Sequence, residues 1–129
     1  MKINILTLFP DFFSSPLDTS ILKRAQDKQL VEFNIVDIRE FAADKHQTTD
    51  LPPYGGGPGM VMKVEPIDQA LQSLGVKKGQ SNKKIYLTSA KGDIFIQETA
   101  ANWSKLDELT LICGHYEGVD QRVVENLVD

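Results

Sequence analysis

Apolar and polar positions in this chain follow two alternating rhythms. Ile3 to Phe9 (INILTLF) is a nearly unbroken apolar, β-rich run that Pro10 ends. Such a run predicts a strand buried on both faces. Leu17, Ile21, Leu22 and Ala25 then recur at helical spacing, with Thr19 or Ser20 available as a cap, and predict a helix over 20–29. Phe33 to Ile38 (FNIVDI) is a second strand pattern. Residues 39–63 hold no sustained period and predict a long loop, a feature that in a small domain usually carries function or is disordered. Ile67, Ala70, Leu71 and Leu74 predict a helix opened by Pro66 and stopped by Gly75. A polar connector over 77–84 leads to a third strand, Lys84 to Thr88. A helix around Ile96 to Trp103, a fourth strand from Leu109 to Cys113 and a last helix over 118–127 complete the order.

Strands alternating with helices imply parallel strands joined by crossovers, an α/β fold with a mostly parallel sheet and flanking helices. In such sheets ligands sit beyond the carboxyl ends of the strands. Three glycine-bearing segments fall there: PYGGGPGM (53–60), TSAKG (88–92) and GHYEGVD (114–120).

Composition narrows the picture modestly. The 129 residues suit one domain with a real core, and 41% hydrophobic with 25% charged residues is ordinary globular usage. No apolar run approaches a membrane span, so no membrane partner is expected. MKINILTLFP has no small-residue cleavage site and reads as a first strand rather than a signal peptide. The one cysteine, Cys113, precludes an internal disulfide and suits a cytoplasmic setting. A net charge of −4 argues against a chain-wide electrostatic grip on nucleic acid, not against a local basic patch.

The candidate chemistry lies in the loops. PYGGGPGM fits a tight turn packed on a helix, a phosphate cradle, or a bare wall for a flat ligand such as a nucleobase, with Tyr54 or Met60 beside it. No GK[ST] follows it and its spacing is not G-x-G-x-x-G, which weakens the cradle. In GHYEGVD, Gly114 would leave a strand end open, Tyr116 can stack, Glu117 can bind a cation or amine, and Asp120 can cap the last helix. Asp44, His46 and Asp50 in DKHQTTD match no standard metal spacing, so no metal is expected. Lys45 could meet phosphate there. His115 reads as a surface residue and Cys113 as inert core. Lys23, Arg24 and Lys28 read as a solvated helix face.

LFPDFF (8–13), SILKRAQ (20–26), VDIREF (36–41), DKHxTxD (44–50), PYGGGPGMVM (53–62) and ICGHYEGVDxRV (112–123) together resemble the bacterial tRNA (guanine-N1-)-methyltransferases, the TrmD family. That resemblance implies transfer of a methyl group from S-adenosylmethionine (SAM) to N1 of the guanine 3′ of the tRNA anticodon. It also implies a SPOUT-class fold with a trefoil knot, and a cytoplasmic homodimer that binds the anticodon stem-loop. Carried over by position, Leu87, Thr88, Ser89, Ala90, Gly114, Tyr116 and Glu117 are expected on the cofactor side. Asp50, Tyr54, Gly55, Gly56, Gly57, Pro58, Gly59 and Met60 are expected on the substrate side. The family's aspartate base, with its arginine and second glycine-rich loop, lies downstream. The catalytic base is therefore expected beyond Asp129, and this chain is expected to be an incomplete N-terminal methyltransferase domain, ended before the knot closes and inactive alone. The alternative is a non-catalytic binding or dimerisation module of the same fold. Gln47 and Leu51 stand where the family often has arginine and aspartate, and Ala90 where it often has proline.

Overall fold

A computed structural model describes residues 1–129. One sheet organises it, built from β1 (Lys2–Thr7), β2 (Glu32–Asp37), β5 (Lys83–Thr88) and β6 (Glu108–Cys113) in the order β2-β1-β6-β5. All three pairings are parallel, in the registers Ile5↔Ile35, Ile5↔Leu111 and Tyr86↔Leu111. The parallel α/β reading is therefore correct. The chain runs outward from β1 to β2, then crosses to β5 on the far side and returns through β6. The strand order thus reverses between β1 and β6, the kind of place where a crevice opens.

Several helix boundaries depart from the sequence reading. Pro10 does not merely end β1; it starts an additional helix, α1 (Asp11–Leu17), with Pro16 inside it. Leu17 therefore ends α1 and does not belong to α2 (Ser20–Asp27). Thr19 leads α2 without capping it, because its hydroxyl donates to the Ser15 carbonyl at 2.6 Å instead. The third helix, α3 (Val64–Leu74), opens two residues before Pro66, which sits in the first turn where a missing N–H costs nothing. Gly75 stops it in the left-handed region, φ +67°. The last helix is only α5 (Gln121–Asn126), after α4 (Gln97–Trp103).

The two faces of the sheet are filled unequally. Side chains alternate along a strand, so Leu6, Ile85 and Ile112 share one face. There they meet Ile67, Ala70 and Leu71 of α3, Ile38, Met62 and Val123 in a single buried cluster. Toward the amino ends of the strands that face turns polar. Asn4, fully buried, donates to Glu108 Oε1 at 2.8 Å and Thr110 Oγ1 at 3.1 Å and accepts from Asn34 at 3.0 Å. Lys83 pairs with Glu108 at 2.7 Å. On the opposite face Tyr86 stacks on Trp103 of α4 at 4.3 Å. Helices α1 and α2 bury no residue completely, and Phe12 and Ile21 remain 74% exposed.

Candidate functional site

The unpatterned stretch over 39–63 is less irregular than its sequence. Ile38–Phe41 form a 3-10 turn whose cap is the Asp37 carboxylate, accepting from Arg39 N–H at 2.9 Å. The Asp44 carboxylate accepts from the His46 and Thr48 amides and the Thr48 hydroxyl, so it ties its own turn together. Those hydrogen bonds, Thr48's first, hold the Asp44 carboxyl below the usual carboxylate range. Two short strands, β3 (Asp50–Leu51) and β4 (Val61–Met62), then pair antiparallel as a stem. The glycine-rich segment is the loop on that stem.

Within it the glycines answer first to dihedral angles. Gly56 N–H donates to the Pro53 carbonyl at 3.1 Å, closing a turn with Gly55 at the third position, φ +87°. A type II turn requires a positive φ there. Gly56 (+81°), Gly57 (+129°) and Gly59 (+86°) continue the excursion. A Cβ at Gly55 or Gly56 would meet open space, so those two are glycine for conformation rather than for a crowded approach.

The segment over 114–120 lies directly against this loop. Glu117 N–H donates to the Met60 carbonyl, Met62 N–H to the Gly118 carbonyl and Asp120 N–H to the Met62 carbonyl, each at 3.0 Å. These three bonds make a short parallel ladder, with Met62 opposite Val119. The Met62 sulfur, fully buried, also accepts from His115 N–H at 3.2 Å. Asp120 caps α5 by accepting from Arg122 N–H at 2.9 Å, as the sequence suggests. It also holds the Arg122 side chain in a fork, Nε at 3.0 Å and Nη2 at 2.7 Å. The Arg122 guanidinium keeps the Asp120 carboxyl below its ordinary range.

The third segment joins through the sheet. A Cβ on Gly114 would stand 3.3 Å from the Thr88 carbonyl oxygen and 3.4 Å from Val119 Cγ2, with Leu87 Cδ1 at 3.8 Å. The Thr88 hydroxyl donates to the Ile112 carbonyl at 3.2 Å. Thus the segments over 53–60, 88–92 and 114–120 meet at the carboxyl rim of β5 and β6. The main-chain groups of Ala90 form no backbone hydrogen bond, and the Glu117 carboxylate has neither hydrogen bond nor ion pair. Ser89 instead closes its own turn, its carbonyl accepting from Gly92 N–H at 3.3 Å. Tyr54 is 87% exposed at the outer tip, and Tyr116 packs edge-on against His115 at 4.6 Å. Asp50 is half-buried in the stem, and Pro58 is exposed. The fifteen residues singled out beforehand therefore lie on this rim, its stem or the loop above it, with Tyr54 outermost.

Sequence reasoning missed two neighbours. A cavity of about 240 Å³ opens at the reversal point, lined by Thr7, Phe9, Phe12, Cys113, Gly114 and His115 among others. Cys113 faces this cavity rather than the core cluster, and burial pushes its thiol pKa up, away from the reactive thiolate. Behind the glycine loop, a second hollow of about 150 Å³ lies between Pro53, Tyr54, Met62, Val119 and Asp120. The side chains that line both were visible in the sequence; nothing there pointed to their meeting.

A parallel sheet with glycine-bearing loops clipped together at its carboxyl rim defines an α/β protein with an open, glycine-rich rim. The comparisons sharpen that class. A family model described as "tRNA (Guanine-1)-methyltransferase TrmD" matches residues 1–129. This chain belongs to that family. Among curated relatives named tRNA (guanine-N(1)-)-methyltransferase, the Fusobacterium nucleatum protein is 55% identical over 129 residues, covering 100% of this chain and 51% of that protein. The Dictyoglomus turgidum protein is 54% identical over 123 residues, 95% of this chain and 49% of its own length. For Desulfitobacterium hafniense the values are 50% over 123 residues, 95% and 46%. The chain spans about half the length of the curated relatives it matches. No helix is long and apolar enough to cross a membrane.

Proposed function

We propose that this chain is the part of a SAM-dependent tRNA (guanine-N1-)-methyltransferase that holds the adenosine end of the methyl donor and forms one wall against the target guanine. Family membership supports the reaction class. The observation that carries the assignment to these residues is the meeting of three glycine-bearing segments at one rim, with free main-chain groups and an unpaired carboxylate facing solvent there.

The rim fits an adenosine. Gly114 lacks the Cβ that would crowd the gap between the Thr88 carbonyl and Val119, and Leu87 lies beside it as an apolar floor. The free amide and carbonyl groups of Ala90 are a donor and an acceptor of the kind an adenine edge needs. The substitution of alanine for a frequent proline at 90 keeps the carbonyl and adds an amide. SAM, when bound, supplies an electrophilic methyl group on a sulfonium sulfur. The chain's own task is orientation: two flat molecules must be held at reacting distance, which is where most of the rate comes from in such displacements.

On the guanine side, the wall of Gly55, Gly56, Gly57, Pro58 and Gly59 presents backbone rather than side chains. Glu117 offers its carboxylate to the amino edge of the base, and Asp50 in the stem and exposed Tyr54 extend the surface toward the RNA. N1 must lose its proton as the methyl arrives. We assign that proton to a carboxylate outside residues 1–129 and not to Glu117. A homodimer with a knotted cofactor pocket, acting in the cytoplasm on the anticodon stem-loop, completes the proposal.

The test uses the complete enzyme, labelled SAM and unmodified tRNA. Methylation at N1 blocks the Watson–Crick edge, so reverse transcription should halt at the guanine 3′ of the anticodon, and replacing that guanine by adenine should abolish incorporation. Label elsewhere, or none, refutes the assignment. Residues 1–129 alone should bind SAM weakly by calorimetry and turn over no tRNA; robust turnover would place the base within this chain.

A further inference from the structure

We infer that Gly59 is a positioning residue for Glu117, holding its carboxylate in line by having no side chain of its own. The inference rests on the methyltransferase reading above and adds to it a reason for one glycine that conformation does not exhaust. Gly55, Gly56 and Gly59 share nearly the same φ, +87°, +81° and +86°. Their surroundings differ. A Cβ at Gly55 or Gly56 would find nothing within 4 Å. A Cβ at Gly59 would overlap Glu117 Cγ outright and stand 3.0 Å from Cδ and 3.1 Å from Oε1. The Glu117 side chain therefore lies against the bare Cα of Gly59 from Cγ to Oε1.

Nothing else in the chain holds that carboxylate. It has no hydrogen bond and no ion pair, whereas the neighbouring acid, Asp120, is gripped at both oxygens by Arg122. The backbone of Glu117 is pinned by its amide bond to the Met60 carbonyl. A methyl group at position 59 thus cannot be accommodated by moving the loop apart without breaking that bond. The cheaper response is rotation of the Glu117 side chain about χ1, which carries the carboxylate to another direction. A carboxylate that must meet one edge of a base loses most of its use when displaced by about an ångström. Gly59 acts through Glu117; it is not itself a catalytic residue.

The experiment compares Gly59→Ala with Gly56→Ala in the complete enzyme, each also combined with Glu117→Ala. Gly56→Ala carries the same φ strain and adds the same methyl group to the same wall with no collision inside the chain, so only the excess loss in Gly59→Ala that depends on Glu117 belongs to the contact. Melting temperatures should fall together in the two single variants. Transfer measured as kcat/KM should fall about tenfold further for Gly59→Ala than for Gly56→Ala, the size of coupling found between touching residues. In the Glu117→Ala background that extra loss should shrink to about twofold or less. Independently of activity, magnetisation transfer between Gly59 Hα and Glu117 Hγ should be present in the unsubstituted protein and in Gly56→Ala. It should be lost in Gly59→Ala. Equal losses in both glycine variants, an undiminished Gly59→Ala effect without Glu117, or no Hα–Hγ contact in the unsubstituted protein would each overturn the inference. An unsubstituted enzyme that transfers no methyl group would instead refute the reaction, and the magnetic contact would still decide the role of Gly59.

Discussion

Asn4 is a polar side chain in a strand pattern that reads as continuous core, and Glu108, one residue before the predicted fourth strand, is the first residue of β6. Burial alone would push the Glu108 carboxyl up, but hydrogen bonds from Lys83 and Asn4, with the attraction of Lys83 and Lys2, hold it below its ordinary range. A carboxylate lowered in the folded state binds fewer protons there than in the unfolded chain. Its contribution to stability is complete above the usual glutamate range and disappears as pH falls through that range to the lowered value. Melting followed from neutral to acid pH should show this decline, and Glu108→Gln should flatten it while costing about 1 kcal/mol at neutral pH. Thr49 offers the opposite case. Its hydroxyl is buried without a partner, so Thr49→Val should leave stability unchanged or raise it by up to about 1 kcal/mol in urea titration. Neither environment was legible beforehand, because alternation along one strand does not say what the neighbouring strand presents opposite it. Gly75 and Asp120 were legible, since a left-handed helix stop and a helix cap depend only on local geometry.

At the level of elements, the two-residue strand β4 contributes more than its length suggests. Met62 fills the core, pairs with Asp50 in the stem and forms the ladder to residues 118–120. Met62→Ala should cost about 2–5 kcal/mol in denaturant midpoint analysis, as large-to-small core changes do. It should also speed amide exchange at His115, which gives up its sulfur acceptor. Asp120→Ala removes the α5 cap and the Arg122 fork together, and should cost about 0.5–2 kcal/mol by the same measurement. Such short strands leave no periodic trace, which is why residues 39–63 read as featureless. The same shortness hid α1, where Pro10 marks a strand end and a helix start at once.

Across the whole molecule, apolar side chains on α1, on α2, at Leu30 after it and in the 94–96 segment stay in solvent: Phe12, Ile21, Leu30, Ile94 and Phe95 are each at least 60% exposed. Exposed apolar surface on this scale favours association. In sedimentation, the 129-residue chain should show a mass that rises with concentration, and Ile21→Lys should reduce it; a concentration-independent monomer would count against the homodimer proposed above. The sequence by itself determined the order and kind of the long elements, the parallel sheet, the family, and the membership of the rim. Those follow from period, from turn residues and from long specific strings, all properties of neighbours along the chain. Tertiary structure alone decided that β6 lies between β1 and β5, that Met62 joins two loops, and that Glu117 rests on Gly59. Those are contacts between residues 25 (Lys83↔Glu108) to 106 (Lys2↔Glu108) apart, set by which surfaces meet when the core closes, and no local pattern encodes them.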